Sequence, residues 1–157
     1  MSVRTRLATL AVATVCATGC DSIGPGSDAM DELERNQSLW ERVGPATYRY
    51  AVERLCFCGV EARGPVRVAV ADGQVLSRVY ADSGDPVSPP LEDLFPTVDG
   101  LFDILRDAIE RGAHSIDVTY DPETGVPIDL WIDYEDFVAD EELGFGVTEA
   151  VSQILPD

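Results

Sequence analysis

The chain has 157 residues, with 29 acidic residues against 11 basic ones, all Arg, and a formal net charge of −18. A surface this acidic repels phosphate backbones and anionic headgroups, which excludes nucleic-acid binding and a polybasic membrane contact. The length suits one domain with a single core, and no repeat with a period of about 20 to 50 residues points to a solenoid or propeller.

The first segment has the three parts of an export signal: Arg4 and Arg6, an apolar stretch from Leu7 to Ala17, and small residues before a cleavage point. The stretch falls short of the roughly 20 apolar residues that a membrane span needs. Ala17-Thr18-Gly19-Cys20 is what a lipoprotein signal peptidase reads, so residues 1–19 are expected to be removed and Cys20 to carry the lipid. Two or three acyl chains make such anchoring stable. The protein is therefore expected to be exported and lipid-anchored to a bacterial membrane, on its periplasmic or outer side. Residues 20–27, with Ser22-Ile23-Gly24-Pro25-Gly26-Ser27, read as a flexible tether, and 28–157 as one domain.

Asp28 to Arg42 reads as a helix with Leu33, Leu39, Trp40 and Val43 on its apolar side, stopped by Gly44-Pro45. From Ala46 the period falls to two. Tyr48, Tyr50 and Val52 alternate with polar or small residues as a strand, and Val66, Val68 and Val70 repeat the pattern. Asp72-Gly73 supplies a two-residue hairpin turn into Val75 to Tyr80. A Pro-rich loop from Asp85 to Pro96 follows. Thr97 then caps a helix with Val98, Leu101, Phe102, Leu105, Ala108 and Ile109 on one face, ended by Gly112.

Ile116, Val118 and Tyr120 form one arm of a second hairpin, the loop Asp121 to Gly125 its turn, and Val126 to Tyr134 its other arm. A last strand is expected around Phe145 to Val151. The fold class is thus α+β: an antiparallel sheet of five to six strands containing two hairpins, a central helix packed on one face, and an additional N-terminal helix.

Two constellations are candidates for function. Cys56-Phe57-Cys58 holds the only thiols left once Cys16 is removed and Cys20 is lipidated. Three readings stand: a structural disulfide in a tight loop, two packed thiols, or a redox-active pair. Zinc wants four ligands, and His114 is the only further soft candidate. The second constellation is the polar face of the second hairpin, where Asp129, Trp131 and Asp133 project together and Asp117 and Thr119 face them. Trp131 is either an exposed platform for a cationic or sugar-like group or a residue covered by a neighbouring element.

Asp121 and Glu123, with Asp136, Asp140, Glu141 and Glu142, offer oxygens of the kind calcium takes, without the spacing of an EF-hand. No cofactor is otherwise expected. With a single His and no Gly-rich phosphate loop or HExxH motif, no enzyme class is indicated.

Cys56-Phe57-Cys58, Gly64-Pro65-Val66-Arg67-Val68, the run Tyr120-Asp121-Pro122-Glu123-Thr124-Gly125-Val126-Pro127, Ile132-Asp133-Tyr134 and Ala139-Asp140-Glu141-Glu142-Leu143-Gly144-Phe145 occur in this order. In these blocks, from about Ser38 to Val151, the chain resembles a family of bacterial lipoproteins assigned to a domain of unknown function. The resemblance implies an exported, lipid-anchored domain and no particular activity. The expectation is a non-catalytic envelope domain that binds an envelope protein or small ligand at the Trp131 face. The alternatives are thiol-disulfide chemistry at Cys56 and Cys58 and calcium binding.

Overall fold

A computed structural model describes residues 25–135 and 142–154. Within them the chain runs α1 (Pro25–Val43), β1 (Thr47–Leu55), α2 (Val60–Arg63), β2 (Val66–Ala71), β3 (Gln74–Tyr80), a 3-10 helix (Pro89–Leu94), α3 (Val98–Arg111), β4 (Ser115–Tyr120), β5 (Pro127–Asp133) and β6 (Leu143–Gln153). The architecture is α+β, with a six-stranded antiparallel sheet in the order β3-β2-β1-β6-β5-β4. The last strand thus enters the middle of the sheet and joins two hairpins that are separate in sequence. Helix α1 starts at Pro25, three residues before Asp28 and inside the stretch expected as a tether.

Local chemistry sets the ends of the elements. Asp72 and Gly73 take positive φ angles of 49° and 75°, which lets a two-residue turn follow the twist of its strands. Thr97 Oγ1 accepts a hydrogen bond from the Gly100 N–H at 3.0 Å, satisfying a donor that the first turn of α3 leaves free. At the other end Gly112 stands at φ 70°, the left-handed cap.

One face of the sheet holds the core. Tyr48, Tyr50 and Val52 of β1, Val66, Val68 and Val70 of β2, Leu130 and Ile132 of β5 and Phe145 of β6 are all buried. Over them lie Val98, Leu101, Phe102, Leu105 and Ala108 of α3, with Leu33 and Trp40 of α1 completing the cluster. Trp40 Nε1 donates to the Asp99 carboxylate at 3.0 Å, locking the C-terminal half of α1 to the start of α3. Val43, expected on the apolar side of α1, is instead exposed in the helix's last turn.

The Pro-rich segment is more than a loop. It contains the 3-10 helix and buries Val87 and Phe95, which join the core cluster beside α3. The Tyr50 hydroxyl donates to the Pro96 carbonyl and Arg78 Nε donates to the Phe95 carbonyl at 2.8 Å, so buried backbone groups are paired. Burial pushes the Tyr48 hydroxyl pKa up to about 12, with the nearby Asp99 charge adding to it, and burial likewise drives Tyr50 well above the ordinary tyrosine range.

Among the described residues no helix lies on the opposite face. On it Ala51, at the centre of β1, is flanked by Arg67 of β2 and Glu149 of β6. Because Ala51 is small, the two long side chains close above it, Arg67 Nη2 reaching Glu149 Oε1 at 2.6 Å, and Ala51 is fully covered. The same logic of a small residue between long neighbours builds the site described next.

Candidate binding surface at the Cys56–Trp131 end of the sheet

The register brings the two constellations together. Leu55 of β1 pairs with Gly144 of β6, Gly144 pairs with Trp131 of β5, and Trp131 pairs with Asp117 of β4. These four residues form one row on the open face. Gly144 is required there: a Cβ would stand 2.6 Å from Trp131 Cε3 and 2.9 Å from Leu55 Cβ. The absent side chain is the room in which the indole ring lies, supported beneath and 37 % exposed above.

Two residues along, Glu53, Gly146, Asp129 and Thr119 form the next row. A Cβ at Gly146 would meet the Glu53 carboxylate at 3.6 Å, so that carboxylate reaches over the glycine toward β5. Asp133 stands on the other side of Trp131, opposite Ser115. Trp131 is therefore bordered by Asp117, Asp129 and Asp133, with Glu53 one row away.

Beyond Leu55 the chain leaves the sheet and bends. Cys56 and Cys58 have α-carbons 5.3 Å apart and their sulfurs within bonding distance. A regular strand would hold such residues at about 6.6 to 6.8 Å, so the bend after Leu55 is what brings the thiols together. Phe57, between them, is fully exposed. Arg54, Leu55, Cys56, Phe57, Cys58, Trp131 and Glu142 line one open concavity of about 390 Å³. Helix α2 carries the tip back to β2 through Gly64, whose φ of 89° and approach to the Phe95 ring leave no space for a side chain.

The remaining candidates lie elsewhere. Asp121 sits at the opposite end of the sheet, where its Oδ1 accepts from the Glu123 N–H, the Thr124 N–H and the Thr124 hydroxyl at 2.8 to 3.0 Å. Slight burial raises its pKa, but the hydrogen bonds from Thr124 and Glu123 outweigh this and hold the carboxyl below its ordinary value. Its lone pairs thus serve the turn. Glu123 is exposed beside it, whereas Glu142 is at the concavity, so these acids do not converge. Asp136, Asp140, Glu141 and Cys20 lie outside the described residues. Among the described residues no group of three or more His, Cys, Asp or Glu side chains is placed to hold a metal ion. Among them too, no helix is long and apolar enough to cross a membrane.

Reading the sequence alone had missed Arg54, Leu55 and Glu53 as members of this surface. The available signal was Gly144-Phe145-Gly146, since glycine is depleted from strands except where another group approaches closely. No curated protein and no solved structure matches the chain. Residues 32–152 match the model of a family of unknown function (DUF6174), and the chain belongs to that family.

Proposed function

We propose that this chain is a lipid-anchored domain of the bacterial envelope that catalyses no reaction and binds a positively charged partner group on the Trp131 face. The observation that carries this reading is the seating of Trp131. Gly144 makes room for the indole on a sheet face that none of the described helices covers, and Asp117, Asp129 and Asp133 surround it. An aromatic face attracts a cation through its quadrupole, and carboxylates at its edge add Coulomb attraction and steer the encounter. The export signal and the cysteine at position 20 support the envelope location.

The test uses a short tetra-arginine peptide as probe. Trp40 is buried and held by Asp99, so any fluorescence change on titration reports Trp131. Saturable quenching that weakens with added salt is expected. Trp131→Phe should remove the signal change, and Asp117→Asn with Asp129→Asn should lower affinity about tenfold. Quenching that persists in Trp131→Phe, or none at millimolar peptide, rejects the cationic reading.

Thiol-disulfide exchange is a second reading, favoured by one observation: the cysteine pair lines an open concavity together with Phe57 and Trp131, where a partner's thiol can approach it. A dithiol partner would reduce the Cys56–Cys58 disulfide through a mixed disulfide and leave with its own disulfide formed. A redox titration followed by mass spectrometry separates the roles. A bond resistant to glutathione argues for structure, and one that exchanges readily argues for chemistry. Calcium binding, the third reading, predicts a higher unfolding midpoint in millimolar calcium.

A further inference from the structure

Helix α1 runs antiparallel to α3. Its C-terminal half meets the start of α3 through Trp40 and Asp99, and its first turns, at Gly26 and Ala29, lie beside Ile109, Gly112, His114 and Ser115. Ser115 opens β4 and pairs with Asp133 of β5, two residues beyond the Trp131–Gly144–Leu55 row. The N-terminal end of α1 is therefore at the same end of the sheet as the Cys56–Cys58 tip. In the strand order, β4 and β1 are three neighbours apart, about 14 Å across the sheet.

Cys20 is five peptide links from Pro25, so even a fully extended chain keeps its α-carbon within about 18 Å of the start of α1. From this placement we infer that the tip lies against the membrane surface that holds Cys20, with Phe57 as the side chain that enters the lipid interface. This rests on the reading of Cys20 as lipidated.

Three observations favour a lipid occupant for the tip. Phe57 is fully exposed, more so than any other large apolar side chain among the described residues, and the neighbouring Val60 is largely exposed beside it. The Cys56–Cys58 link and α2 hold the loop, so presenting Phe57 requires little ordering on contact. The short tether holds the tip near the bilayer at an effective concentration that no dissolved protein would reach, which lets one aromatic side chain suffice.

Charge sets the lipid preference. Arg54 and Arg63 flank the tip and suit lipid phosphates, while Glu53, Glu61, Glu135 and Glu142 oppose an anionic surface. Contact is thus firmer on zwitterionic phosphatidylcholine than on anionic lipid. In this orientation the strands stand up from the bilayer, and the Trp131 face is a wall rising from it, open to a partner at the membrane surface.

The experiment uses the full chain purified from a bacterial membrane and reconstituted in phosphatidylcholine vesicles brominated near the headgroup. Phe57→Trp places a reporter at a position whose full exposure leaves the core untouched, and Val43→Trp places one at the opposite end of the domain. The expected result is that the emission added by Trp at 57 falls by about half, as for a side chain buried about 5 to 10 Å into the interface, while that added at 43 is unchanged. Adding anionic lipid should reduce the loss at 57.

Mass spectrometry of the same preparation identifies which idea fails. An unacylated Cys20 removes both the anchor and this orientation. An acylated Cys20 with an unquenched reporter at 57, or with equal quenching at 57 and 43, overturns the orientation alone.

Discussion

The two faces of the sheet are built on opposite rules. The covered face fills space with large apolar side chains: Tyr50, Leu130, Ile132 and Phe145 meet Leu101, Phe102 and Leu105 from α3. The open face keeps its central strands small, with Ala51 on β1 and Gly144 and Gly146 on β6, and lays long side chains across them from both sides. Removing volume damages the first arrangement, and adding volume damages the second. Stability resides mostly on one face and the proposed recognition on the other, so the two are expected to be separable by mutation.

The largest effect belongs to the covered face. Leu101 is fully buried between α3 and the sheet, and Leu101→Ala should cost about 2 to 5 kcal/mol of unfolding free energy by the lost transfer energy and the cavity left behind. Urea titration measures it. The peptide-induced fluorescence change of the variant should persist at low denaturant, because Trp131 and its neighbours are on the other face. Loss of both together would mean the faces are not independent.

The next effect comes from adding a methyl group to the open face. In Gly144→Ala the new Cβ collides with the Trp131 ring and Leu55 Cβ. The sheet residues are held by their ladders, so the indole is the group that moves. Overpacking of this kind costs about 1 to 3 kcal/mol, and the emission of Trp131 should shift as the ring is displaced into water. The binding signal should fall more than stability does, the inverse of Leu101→Ala.

Which of these features the sequence made legible follows from how local their causes are. The α3 helix was readable because Thr97, its apolar stripe and Gly112 lie within one short stretch, and each hairpin was readable from alternation around a turn. The insertion of β6 between β1 and β5 was not, because nothing near Leu143–Gln153 states which edges it joins. That one non-local pairing puts Leu55 and Trp131 on either side of Gly144, so the meeting of the two constellations was equally hidden. The core role of the segment before Thr97 was masked by its prolines, which mark a loop but do not prevent Val87 and Phe95 from being buried.

A smaller effect is expected at the tip. A disulfide stabilises chiefly by restricting the unfolded chain, and a loop closed between residues two apart restricts it least. Replacing both Cys56 and Cys58 by Ser should therefore lower stability by less than about 2 kcal/mol in a denaturant titration. If the tip's purpose is to hold Phe57 out, the same variant should weaken membrane quenching at position 57 while leaving peptide binding at Trp131 in place. A loss as large as that of Leu101→Ala would instead make the tip part of the core.

The faces should also differ in which end of the pH scale they sense, with the open face giving the smallest effect. On the covered face burial raises the hydroxyls of Tyr48 and Tyr120 to about 12, so the folded state holds their protons more tightly than the unfolded chain does. Their contribution is complete below about pH 10 and is lost as the pH rises from there toward 12. On the open face the hydrogen bond from Arg67 holds the Glu149 carboxyl below its ordinary value. That contribution is complete above the ordinary carboxylate range, near pH 4, and disappears as the pH falls through the lowered folded value. Glu149→Gln should accordingly flatten part of the acid limb of a stability profile and leave the alkaline limb unchanged. High salt should reproduce much of its effect, because both side chains of the pair are in water. An acid limb that Glu149→Gln leaves unaltered would assign it to other carboxyls, of which Asp121, held low by its turn at the far end of the sheet, is the first to substitute.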